Sequence, residues 1–243
     1  MVKGENSVIF VTKKNKEVEL AATLLGAEIV LETFDFPFNE IRSESIEKIS
    51  MAKVKDAYRV TKKPTIALDT ELFIKELNGC PQSYAGYCLE TIGINGLLKL
   101  MEGVRNRECY IKQCLYYYDG IGDGRFFFEK CEGKLSKRKR GSIDEYGWIA
   151  IGDIFIPKGK KYVISKMSDR ERADFLCERD NDSVFRQFKD WYVDYIKNVN
   201  PCEYVKMKRD WAAACDCLRR RGVMADISYE TWIEPLDIVE INK

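Results

Sequence analysis

The sequence predicts an α/β fold: an elongated mixed β-sheet flanked by helices, with an extra helical extension at the C-terminus. Three patterns carry that expectation. Near the N-terminus, short apolar runs alternate with helical spacing, as in βα units. Two runs rich in Tyr, Phe and Ile then flank a Gly/Asp turn, as in an antiparallel hairpin. Two apolar stripes at helical spacing close the chain. With 243 residues and 45% apolar side chains, there is material for a sizeable core.

The elements follow in order. Residues 7–11, rich in Val and Ile, read as a buried strand. Residues 12–16 form a polar turn, after which Val18, Ala21, Ala22, Leu24 and Leu25 share a helical face that Gly26 stops. Residues 29–31 read as a second short strand and 34–38 as an irregular stretch. Ile41, Ile46, Ile49, Ala52 and Ala57 set a helix over 40–58, and 64–68 is a strand ending at Asp69-Thr70. Strands over 108–118 and 125–129 are joined by the turn at 119–124, and a further strand covers 130–135. Val184, Phe185, Phe188, Trp191, Tyr192, Tyr195 and Ile196 make the core stripe of a helix closed by Asn200-Pro201. A last helix over 203–221 carries Tyr204, Met207, Trp211, Cys215 and Leu218 on one face. Residues 1–198 thus read as one domain, and 199–243 as an extension packed on it.

Composition excludes several functions. Lys+Arg is 40 against Asp+Glu 39, so bulk attraction to nucleic acid or to an anionic membrane has no basis. No apolar run is long enough to span a bilayer or to act as a signal peptide, and a cytoplasmic protein is expected. The nine cysteines are irregularly spaced and read as reduced, mostly buried thiols. The chain contains no histidine, which removes every His-based triad, His–metal site and His general base. Catalysis must use carboxylates, Lys/Arg, hydroxyls or thiols.

Two acidic positions stand out. Asp69 falls at a strand end, where α/β proteins bind ligands, and Glu40 opens a helix. Together they suit a Mg²⁺, with Mn²⁺ as the alternative, since these ions take one or two carboxylates plus phosphate oxygens. Read separately, Asp69 is a cap and Glu40 an ordinary first-turn acid. The turn Thr12-Lys13-Lys14-Asn15-Lys16 lies between a strand and a helix. It either cradles a phosphate with hydroxyl, amide, ammonium and helix N–H donors or is a solvated βα turn, and it lacks the P-loop pattern. The run Lys137-Arg138-Lys139-Arg140 reads as a solvated loop, as a cover for polyphosphate or, against the balanced net charge, as a nucleic-acid contact.

The order of features over residues 7–197 resembles the inosine triphosphate pyrophosphatase family. Val8-Ile9-Phe10-Val11-Thr12 and the following helix are similar to its opening strand and phosphate turn. Glu40-Ile41-Arg42-Ser43 resembles its acidic turn, and Lys53 falls at its lysine position, sixteen residues before Asp69. Ala67-Leu68-Asp69-Thr70-Glu71-Leu72 resembles its Asp-Asp-Ser-Gly-Leu strand, and Leu77-Asn78-Gly79-Cys80-Pro81-Gln82-Ser83-Tyr84 its Leu-x-Gly-x-Pro-Gly-x-Tyr loop. Gly133, Arg140-Gly141, Tyr146-Gly147-Trp148, Pro157 and Gly159 follow in the family's order.

The resemblance implies Mg²⁺-dependent hydrolysis of a non-standard nucleoside triphosphate to monophosphate and pyrophosphate, by a homodimer. Glu40 and Asp69 would hold the metal, with Asp69 and Lys53 catalytic. Thr12, Asn15, Lys16, Lys53 and Thr70 would contact substrate, Tyr146 and Trp148 would line the base, and Arg172 and Arg179 would read it. The chain also departs from the family's pattern. Leu68 replaces a carboxylate, Lys14 and Glu17 occupy the turn's Asn and Lys positions, and Cys177-Glu178-Arg179 is the nearest segment to the family's Ser-His-Arg. A fold that binds nucleotide or a partner without catalysis is the alternative.

Overall fold

Val8, Ile9 and Phe10 are buried on both faces because β1 (Ser7–Phe10) lies inside a sheet with helices on either side. A computed structural model describes residues 7–34, 41, 43–141, 151–180 and 182–198. Parallel to β1 run β2 (Val30–Thr33) on one side and β3 (Thr65–Ile74) on the other. The sheet continues antiparallel through β5 (Glu108–Tyr118), β6 (Arg125–Leu135) and β7 (Phe155–Pro157), and β4 (Pro81–Gln82) pairs with β3. The mixed sheet flanked by helices is the predicted architecture.

Helices fill the two faces unequally. On one face, α1 (Asn15–Leu25) and α6 (Val184–Asn198) bury Ala21, Leu25, Phe185, Phe188 and Tyr192 against Phe10, Ile66 and Leu115. On the other, α2 (Ile46–Thr61) sets Val54 and Ala57 on Ile9, Ala67 and Tyr116. At the far end, α4 (Gly93–Leu100) and α5 (Asp169–Asp180) close a third cluster with Leu72, Ile74, Phe155 and Phe175, and α3 (Ala85–Thr91) lies beside it. Among the described residues, no helix is long and apolar enough to cross a membrane.

Several boundaries differ from expectation, each for a local reason. The helix predicted over 40–58 starts at Ile46, because the Ser45 hydroxyl accepts from the Lys48 N–H at 3.2 Å and caps it. The strand predicted to end at residue 68 runs to Ile74, so Asp69 is mid-strand; ten consecutive pairs with β5 override the polar run Asp69-Thr70-Glu71. The strands expected at 125–129 and 130–135 are one, since β6 pairs with β5 along its length. The short strand near residue 29 spans Val30–Thr33. Helices α3, α4 and α5 were not anticipated. The helix at 203–221 and the extension 199–243 lie outside the described residues.

One feature of the pairing positions the site. Parallel pairing with β1 ends at Ile66, and antiparallel pairing with β4 begins at Leu72. Among the described strands, residues 67–71 of β3 therefore have a neighbour on the β5 side only. The open edge lies just beyond the C-terminal end of β1, the place where α/β sheets bind ligands.

Burial has a chemical consequence for the thiols. It pushes Cys109 and Cys114 up to about 12 and Cys131 up to about 11, from an ordinary 9.0. The folded chain keeps these protons that the unfolded chain releases, so their stabilising effect is intact below pH 9 and is lost as pH rises towards 12. At pH 8, iodoacetamide is expected to label exposed Cys80 and to spare Cys109, Cys114 and Cys131 until the chain is denatured. Peptide mass spectrometry reads this, and rapid labelling of the three would contradict it.

Candidate active site

Helical spacing puts Ser50, Lys53, Val54 and Ala57 on the face of α2 that lies on the sheet. The apolar pair packs into the core; the polar pair meets Asp69 on β3. Lys53 Nζ donates to Asp69 Oδ1 at 2.5 Å, and the Ser50 hydroxyl donates to Oδ2 at 2.9 Å. The side chains of Lys53 and Asp69 are 11% and 15% exposed, so the pair is largely shielded from water yet reachable from it. A carboxylate has about four lone-pair positions. With one bond to each oxygen, Asp69 keeps capacity for a water or a cation.

Strand alternation puts Glu71 on the same face, two residues further along. Directly opposite it on β5 is Lys112. The Lys112 ammonium, however, donates to Glu47 Oε1 at 2.9 Å. Burial opposes the charge on Lys112, but the bond to Glu47 and the surrounding carboxylates hold its pKa above the lysine value. Burial also opposes the charge on Glu47, and bonds from Lys112, the backbone and Ser45 hold it below the carboxylate range. Glu71 is 3% exposed and its Oε1 has no hydrogen-bond partner. Burial pushes its pKa up, Lys112 opposes the rise, and Glu47 and Asp69 add to it.

The opposite face of β3 carries a second set. Gln113 Nε2 donates to Thr70 Oγ1 at 3.2 Å, and beyond it Glu129 holds Arg179 in an ion pair and accepts from the Val184 N–H. Burial pushes the Arg179 guanidinium down to about 10. Glu17, also buried, accepts from the Thr12 hydroxyl at 2.8 Å and from the Lys14 ammonium at 2.9 Å. Leu68 lines this side with Leu20, Leu24, Leu176 and Phe185.

The expected site residues therefore divide. Lys53 and Asp69 come together on the α2 face. Thr70 and Arg179 lie on the α1/α6 face, where Thr12 is bound to Glu17. Asn15 is exposed at the start of α1, Lys16 is half-buried beside it, and Arg172 donates through Nη2 to the Met167 carbonyl at 2.7 Å. Glu40, Tyr146 and Trp148 lie outside the described residues. The basic run borders an open groove with Arg105, Lys161 and Lys166, and Lys139 turns to Asp153 at 3.2 Å. Residue-by-residue reading missed Ser50, Glu71, Gln113 and Glu129; helical spacing from Lys53 and strand alternation from Asp69 were the signals for the first two. Among the described residues, no three acidic or sulfur side chains form a ready-made metal cage.

A model of the Ham1 family matches residues 8–179. The dITP/XTP pyrophosphatase of Saccharolobus solfataricus is 29% identical over 192 residues, covering 79% of this chain and 97% of that one. Inosine triphosphate pyrophosphatase 1 of Trypanosoma cruzi is 33% identical over 159 residues, covering 65% and 78%. A HAM1 protein from Coxiella burnetii shares the fold, with a TM-score of 0.66 at 15% identity over 77% of this chain and 98% of that one.

The Lys53–Asp69 pair has a measurable energetic signature. Lys53→Met should lower stability by about 1.5–3 kcal/mol, the usual value of a hydrogen bond to a charged group. In a double-mutant cycle with Asp69→Asn, urea denaturation should show a coupling of about 0.5–3 kcal/mol. Strictly additive losses would mean that the two side chains do not act together.

Proposed function

This chain belongs to the Ham1 family, and from that premise we propose that it hydrolyses non-standard nucleoside triphosphates to the monophosphate and pyrophosphate. The supporting observation is the shielded Asp69, held by Lys53 and Ser50, at the open edge of β3 beside the turn that follows β1. In this reading Asp69 accepts a proton from the attacking water. Ser50 and Lys53 fix its two oxygens so that a free lone pair faces the substrate. Lys53 places a positive charge beside the phosphates.

The donors fit a Mg²⁺. Asp69 is an oxygen ligand with spare capacity, and an orphaned carboxylate oxygen of Glu71 lies on the same strand face. When bound, the ion would neutralise phosphate charge and orient the water. Glu40 is proposed as a second ligand, and Thr12, Asn15, Lys16, Thr70, Tyr146, Trp148, Arg172 and Arg179 as substrate contacts, on the family resemblance. The same resemblance supports a homodimer, and from the sequence alone we propose a cytoplasmic location and an extension over 199–243 packed on the hydrolase unit.

A second reading has an observation of its own. Glu17 already occupies the Thr12 hydroxyl and the Lys14 ammonium, the groups a phosphate would need. That favours a fold that binds nucleotide weakly, without turnover. Incubation with ITP, XTP, dUTP and the standard triphosphates plus Mg²⁺ separates the two. Pyrophosphate release from at least one is expected, and Asp69→Asn should lower kcat by roughly 10²–10⁴-fold. Calorimetric binding with no pyrophosphate from any of them would replace hydrolysis by the second reading.

A further inference from the structure

The β3–β5 register leaves one acidic side chain without a function in the fold. Glu71 and Lys112 are direct cross-strand partners, close enough for an ion pair. Lys112 instead bonds Glu47 from α2. Glu71 is left buried, with no hydrogen bond to its Oε1. Such a group is expensive to keep, and a neutral or apolar side chain would fold more readily there. Among the described residues on this face, Glu47, Asp69 and Glu71 stand against Lys53 and Lys112, one more carboxylate than ammonium groups. The surplus acid is the one that lacks a partner.

We propose that Glu71 is an oxygen ligand of a divalent cation shared with Asp69 across one face of β3. The inference rests on the hydrolytic reading above, and names a further carboxylate of its metal site, one carried by β3 itself. Three features support it. Strand alternation aims residues 69 and 71 at the same side, whereas Leu68 and Thr70 face away. Asp69 has one lone pair free on each oxygen, and Glu71 has an oxygen with no bond at all. Mg²⁺ and Mn²⁺ are satisfied by two carboxylates when water and phosphate oxygens complete the shell, so a three-acid cage is not needed. Lys112, held by Glu47, is the barrier against Glu71 collapsing into an ordinary ion pair.

The test uses the full chain and Mn²⁺ alone, with free Mn²⁺ followed by electron paramagnetic resonance and melting followed in EDTA. Glu71→Gln is expected to bind Mn²⁺ at least about tenfold more weakly. Without metal it should melt roughly 2–4 °C higher, because the amide carries no buried charge. Glu71→Met, of similar volume, gives the same comparison if the glutamine variant fails to fold. Wild-type Mn²⁺ affinity in a folded Glu71 variant, while the parent chain still releases pyrophosphate, overturns this inference and leaves hydrolysis standing. Weakened Mn²⁺ binding in the variant, with no pyrophosphate released by the parent chain, supports the site and removes the hydrolytic reading.

Discussion

The contact between Lys53 and Asp69 is the constraint on which the rest of the site depends. It ties α2 to β3 over the stretch of β3 that neither β1 nor β4 covers among the described strands. The tie needs the register of α2 to be fixed, since a slip of one residue turns the helix by about 100° and carries the ammonium off the sheet. Val54 and Ala57, fully buried on the same helix face just C-terminal to the polar pair, supply that register through packing. Ser45 starts the helix at the point that makes it possible. Apolar packing therefore sets the position, and the ion pair exploits it; the pair alone, with modest exposure on both side chains, is too weak to determine helix placement.

The two-residue alternation of β3 decides which chemistry each face can hold. Leu68 shares a cavity with Leu20, Leu24, Leu176 and Phe185, whose Arg179 is already paired to Glu129, so a carboxylate there would be partly desolvated and would compete with Glu129 for that guanidinium. A carboxylate at 71 falls on the face of Asp69 and Lys112 instead. On the Leu68 side the polar groups neutralise one another: Glu129 with Arg179, Glu17 with Lys14 and Thr12, Gln113 with Thr70. A substrate crossing the open edge of β3 meets one face that is internally satisfied and one that carries surplus negative charge. Only the second has reason to recruit a cation.

What could be read from the sequence followed periodicity. The stripe of α6, the helical face of α1 closed by Gly26, and the β5–β6 hairpin are long or well punctuated, and they formed where the pattern placed them. The polar run Asp69-Thr70-Glu71 looks like the end of a strand, because cross-strand pairing with β5 leaves no mark on β3 itself. Helix α5, rich in charged residues, has no apolar stripe to read, and α3 and α4 run only about two turns each. Lys53 and Asp69 were legible through spacing and resemblance, yet Ser50 and Glu71 were not, although each shares a face with one of them. A hydroxyl and an acid acquire meaning only once the partner across the interface is known. Glu17 was visible as an odd residue in the turn, but its hold on Thr12 and Lys14 required the folded turn.

A net charge of +1 describes this molecule poorly at the scale on which ligands are recognised. Exposed charges separated by more than about 8–10 Å are largely screened from one another in physiological salt, so each patch acts by itself. Acid collects beside α2, and base collects along the groove bordered by Arg105, Lys137, Arg138, Arg140, Lys161 and Lys166. The balance of 40 against 39 therefore excludes only a bulk field, and local fields of both signs remain. Within the acidic patch two neighbouring acids are pushed in opposite directions. Burial opposes the charge on both, but bonds from Lys112, the backbone and Ser45 hold the Glu47 carboxyl below its ordinary value, while burial, against the pull of Lys112, pushes Glu71 up. Had Lys112 turned the other way, Glu71 would be an ordinary cross-strand ion pair and the surplus carboxylate would be Glu47, on the helix.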